Sequence, residues 1–216
     1  MRRQKLITMD DGGRLLCFRI RELAALQMES WLDRLARSLA ATPDDQEPDL
    51  TEATPLGRAR EALLEHGLFA AERVPGEVGN LLREEMLGCC SYLSPAGGGL
   101  RCASGVVDGY IEHAWTLISL RRHSMCLNLR FLLQGERRPL SLPGESGFKA
   151  GSAVSGRAAT VNVSGGMAAI MGHGLAGLRE LETYYSYSDA LDMLEIINVD
   201  AYNRWAAQEA AHHGRR

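Results

Sequence analysis

The stretch Lys5-Leu6-Ile7-Thr8-Met9, Asp10-Asp11-Gly12-Gly13, Arg14-Leu15-Leu16-Cys17-Phe18-Arg19-Ile20 reads as two strands around a turn. Asp and Gly tolerate the positive φ angles that a tight hairpin requires, and apolar residues flank them on both sides. A β-hairpin is therefore expected at the start of the chain. From Leu23 the period changes. Leu23, Met28, Trp31, Leu32, Leu35 and Leu39 recur at intervals that put them on one side of a helix, with Glu29, Asp33, Arg34 and Arg37 between them.

Further along, residues 42–55 combine Pro43, Pro48 and Pro55 with five acidic side chains, Asp44, Asp45, Glu47, Asp49 and Glu52, and predict an exposed loop. Arg58 to Phe69 is expected to form a helix, and a second runs from about Glu77 towards Tyr92 until Pro95 and Gly97-Gly98-Gly99 stop it. Asp108 to Leu133 gives the longest helical pattern, with Ile111, Ala114, Trp115, Ile118, Met125, Leu129 and Leu132 as the core-facing side. Residues 141–166 turn to Gly, Ser and small side chains and read as a flexible tether. Beyond it, Ile170 to Leu181 forms a glycine-weakened helix. A last helix starts at the Ser186-x-x-Asp189 capping pattern and is apolar nearly all round in its first half.

The fold class expected from this pattern is mainly α: an N-terminal β-hairpin followed by a helical bundle (1–140), a Gly/Ser-rich tether (141–166) and a tethered C-terminal helical segment (167–216). A small segment with so much apolar surface has reason to dock on another surface. Its residues Leu191, Leu194, Ile197, Tyr202 and Trp205, together with Trp31 in the first helix, are the expected partner-binding residues.

Composition narrows the function classes. The 216 residues are 45% hydrophobic and 24% charged, as in ordinary globular proteins. A net charge of −3 and a pI near 6.1 provide no field that would attract a phosphate backbone, so nucleic acid is not expected as a partner. The basic start leads into no continuous apolar run and the chain has no 18-residue apolar window, so neither a signal peptide nor a membrane span is expected. Five cysteines without CxxC spacing fit a reducing compartment. Cys89, Cys90, Cys102, His113, His123 and Cys126 lack the close ligand pairs of zinc sites. There is no GxSxG, HExxH or phosphate-loop frame, and Glu84-Glu85 and Asp44-Asp45 diverge as sequence neighbours. No catalysis, cofactor or metal is expected, although a site assembled from distant residues leaves no local motif.

The run Gly13 to Ala24, followed by Glu29-Ser30-Trp31-Leu32-Asp33-Arg34, resembles the opening of a group of lambda-type siphophage tail assembly chaperones: a short hairpin, an [IT]-x-E-[ML]-PA-like turn and a helix with an E-x-W motif. Leu81 to Leu87 with Cys90-Ser91-Tyr92, Ile111-Glu112 with Thr116 to Arg121, and Tyr187 to Glu195 with Ala201-Tyr202-Asn203 are similar to further patterns of that group. Ala24 stands where the group usually has Pro, so the turn into the first long helix is expected to be built differently. The resemblance implies a protein of the host cytoplasm that binds the tape measure protein and recruits tail tube subunits, with self-association a further expectation. In many such systems a frameshifted longer form carries a tethered extension. A structural tail or neck component and a small enzyme or regulator with a convergent site are the alternatives, the latter favoured by any deep pocket lined with several ionisable residues.

Overall fold

A computed structural model describes residues 1–40, 70–96, 99–133, 140 and 162–213. The loop expected at 42–55, the helix at 58–69 and the tether up to residue 161 lie outside the described residues.

The hairpin forms as expected. β1 (Gln4–Asp11) pairs antiparallel with β2 (Arg14–Arg21), Asp11 opposite Arg14, around Gly12 and Gly13 at φ +67° and +91°. Two consecutive positive φ angles make the turn whose twist matches the strands it joins. A Cβ on Gly12 would also sit 2.3 Å from His113 Cε1, so both backbone and space select glycine there.

The sheet corrects the expectation of a mainly α chain. β2 continues into a four-stranded antiparallel sheet of order β1-β2-β3-β4, so the fold is mixed α/β. The helix expected to reach Tyr92 ends at Gly88, and Cys90–Ala96 extends as β3, with Ile20 opposite Cys90 and Phe18 opposite Tyr92. β4 (Gly99–Ser104) completes the sheet beyond a register shift at Tyr92/Leu93. The physical reason is the open edge of β2: its ladder groups need partners, and the chain leaving the helix supplies them.

Around the sheet lie α1 (Ala25–Ala40), α2 (Ala70–Arg73), α3 (Gly76–Gly88), α4 (Ala114–Leu133), α5 (Gly165–Gly172), α6 (Leu178–Thr183) and α7 (Tyr187–His213). The single helix expected over 170–181 is two, because Gly174 at φ +71° breaks it. Two apolar clusters result. One joins Phe18 and Ile20 of the sheet to Cys90, Val107 and Leu120; the other surrounds α1 and includes Met125, Leu129, Met167, Ile170, Leu181 and Tyr187. The C-terminal helices thus share a core with α1.

The buried side of α4 differs from the expected stripe. Trp115 is 65% exposed, with the Arg122 guanidinium 5.4 Å from its ring centre, while Thr116, Ser124 and Asn128 are buried beside Leu120, Met125 and Leu129. Hydrogen bonding explains the exchange. Asn128 Oδ1 accepts the Leu23 N–H at 2.7 Å, and Ser124 Oγ donates to the Met86 carbonyl at 2.7 Å, so these polar groups tie α4 to the starts and ends of its neighbours.

Asp11 binds the hairpin to α4. Its buried carboxylate accepts the N–H groups of Glu112 at 2.8 Å and His113 at 3.0 Å, just ahead of the helix. The Glu112 hydrogen bond is the main reason its pKa falls to about 2 from the ordinary 3.8. The folded state therefore favours the ionised form: its stabilisation is complete above about 3.8 and disappears as pH falls towards 2. Asp11→Ala is expected to lower the melting temperature at pH 7 and to flatten the acid limb of the stability–pH curve over that window, as followed by circular dichroism.

Candidate partner-binding groove

Helix α1 turns Met28, Trp31, Leu32 and Leu35 into the core, and its other side forms the wall of an open groove of about 970 Å³. Leu26, Glu29, Asp33 and Arg37 contribute from α1, Asn162 to Gly166 from the start of α5, Leu178 and Glu182 from α6, and Tyr187, Leu191 and Leu194 from α7. A smaller recess of about 480 Å³ shares Leu26, Ser30 and Glu182 with it and ends at the Arg34–Glu85 ion pair. At a rise of ~1.5 Å per residue, Leu26 to Arg37 spans about 16 Å, the length of a three-turn helix.

Local hydrogen bonds hold the walls in place. The Ala25 N–H donates to the Tyr185 carbonyl at 2.9 Å, joining the start of α1 to the bend between α6 and α7. Ala24, unlike a proline at that position, has an N–H to give, and it reaches Gln27 Oε1 at 3.2 Å. Ser186 and Asp189 form the expected reciprocal cap of α7: the Ser186 N–H meets Asp189 Oδ2 at 2.8 Å and the Asp189 N–H meets Ser186 Oγ at 3.3 Å. Glu22, buried ahead of α1, accepts the Arg3 N–H at 2.7 Å.

Ser164 works on both sides of the groove. As N-cap of α5 its Oγ accepts the Met167 N–H at 3.2 Å, and it donates to Glu29 Oε1 at 2.7 Å. Burial, helped by the charge of Asp33, raises the Glu29 pKa above its usual range against the lowering effect of the Ser164 bond. Asp33 Oδ2 takes the Arg37 Nε at 2.8 Å, whereas its Oδ1 is buried with no hydrogen-bond partner among the described residues. Burial and the nearby Glu29 also push the Tyr187 hydroxyl up.

The expected partner-binding residues fall into three places. Leu191 and Leu194 line the groove, and Ile197 packs beside them against the α1 cluster. Trp31 is core: it is 0% exposed, and its indole N–H donates to the Leu82 carbonyl at 3.0 Å. Tyr202 and Trp205 lie farther out on α7, their ring centres 5.7 Å apart and both half-buried. No residue from Leu191 to His213 is fully buried, so over its last 23 residues, about 34 Å of rise, α7 keeps a side open. Leu26, Leu178, Val163 and the groove carboxylates carry no signal of this site in the sequence, because they come from segments far apart along the chain.

All five cysteines are free thiols; burial raises Cys89 to about 11 and Cys90 to about 12. Among the described residues, no group of three or more His, Cys, Asp or Glu side chains is placed to hold a metal ion, and no helix is long and apolar enough to cross a membrane. Searches against protein-family models, curated proteins and solved structures found no match.

A carboxyl group whose folded-state pKa is raised binds protons more readily in the folded than in the unfolded chain, so its ionisation lowers stability as pH rises through the raised value. Glu29→Gln keeps an acceptor for Ser164 and is expected to leave stability at pH 7 equal or slightly higher, while Ser164→Ala is expected to cost about 1 kcal/mol through loss of the α5 cap. Urea unfolding at pH 5 and pH 7 checks both.

Proposed function

We propose that this chain is a phage tail assembly chaperone that acts in the host cytoplasm by covering apolar helices of the tape measure protein and bringing tail tube subunits to them, without covalent chemistry. The observation that carries this reading is the groove along α1, which has the length of a short helix and is edged by Leu26, Leu178, Leu191 and Leu194. Ile197, Tyr202 and Trp205 follow on α7 beyond the residues that line the groove. A helix laid into such a groove would bury its own stripe against these side chains, as helix-in-groove recognition does. The tail-specific part of the proposal rests on the sequence resemblance. Tube recruitment and self-association are parts of the same proposal, and nucleic acid and lipid are not proposed as partners.

A permanent tail or neck component would present the same surfaces. Mass spectrometry of purified mature particles separates the two: a chaperone is expected to be absent, and stoichiometric copies would overturn the assignment. The reading as a small enzyme or regulator draws on Glu29, with its raised pKa, beside Asp33. Against it, Glu29 is engaged by the α5 cap and Asp33 by Arg37, in a groove open along its length.

Co-expression is expected to keep the tape measure protein soluble. The Leu194→Ala, Trp205→Ala double variant is expected to weaken that association at least about tenfold while remaining folded, because truncating two apolar anchors removes more than about 1.4 kcal/mol of contact. Unchanged association in pull-downs would remove α7 from the interface. Trp31→Ala, in contrast, is expected to cost about 3–5 kcal/mol of folding stability, with binding lost only through unfolding.

A further inference from the structure

We propose, on the basis of the helix-binding reading of this groove, that its occupant is an amphipathic helix whose apolar stripe is flanked by lysine or arginine side chains. Among the described residues the groove's charged lining is Glu29, Asp33 and Glu182 against Arg37, so its field favours cations at the rim of an apolar floor. Arg37 already pairs with Asp33, so among the described lining residues Glu29 and Glu182 are the carboxylates without a cationic partner. Glu29 adds to the argument, since burial already works against its charge and a neighbouring cation would relieve that. A polyanion would be repelled, and a helix with acidic flanks would meet like charge at Glu29 and Glu182.

The test uses the full chain and two fluorescently labelled synthetic helices with one shared leucine stripe, flanked by lysine in one and glutamate in the other. Fluorescence anisotropy is expected to show the lysine-flanked helix binding at least about tenfold more tightly. That preference is expected to shrink as salt rises from about 0.05 to about 0.5 M, where rim charges are screened. Asp33→Asn with Glu182→Gln is expected to remove most of the preference with unchanged thermal unfolding. Exposed Glu182→Gln alone, expected to remove part of it, serves if the double variant is unstable. Equal binding of the two helices, tighter binding of the glutamate-flanked one, no binding of either, or a preference untouched by the folded variants would each overturn the proposal. If the lysine-flanked helix binds but the tape measure protein is not retained on co-expression, the tail-assembly reading fails and this one stands. Retention of the tape measure protein without any charge preference has the opposite meaning.

Discussion

Helix α1 has to be buried along one side before the rest of the molecule can settle. Met28, Trp31, Leu32 and Leu35 are each at most 2% exposed, and they receive side chains from α3, α4 and the C-terminal helices within one cluster. Burying a large apolar side chain contributes about 1.5–3 kcal/mol, so these four together outweigh any single polar contact in the fold. The indole N–H of Trp31 limits how α3 can lie, because it must find an acceptor in a dry site and finds the Leu82 carbonyl. Asn128 sets the entry to the helix from the other side by taking the Leu23 N–H. The rest of α1, with the starts of α5, α6 and α7, frames the groove.

The hairpin, α1 and the α7 cap are legible in the sequence because each is written within a few consecutive residues: a turn with two glycines, a three-to-four spacing, a serine and an aspartate three apart. The second half of the sheet is not. Cys90-Ser91-Tyr92 continues an apolar helical pattern in sequence, and nothing local to it records that β2 presents an unpaired edge. The α4 face is hidden for a related reason. Periodicity ranks Trp115 above Thr116, Ser124 and Asn128 by hydropathy, but these three are buried because distant backbone groups require partners. Trp31 shows the limit of a stripe as a functional signal: the spacing identifies the apolar side of a helix without saying whether the chain or another protein covers it. The groove combines residues more than a hundred positions apart, such as Glu29 and Ser164, so no local motif announces it.

On the proposed function, a helix-binding surface that later releases its partner cannot rest on apolar area alone. Apolar contact slows dissociation, whereas charges at a rim mainly speed the encounter and select the partner. The groove combines a modest apolar floor with a carboxylate, Glu29, whose ionisation burial already disfavours. In the free protein that carboxylate works against stability at neutral pH. On the proposed reading that cost lies beside the flanking cation of the occupant, so association would relieve it. Stability given up at such a surface would widen the gap between right and wrong partners without deepening the contact, because an occupant lacking the cation would leave that cost in place.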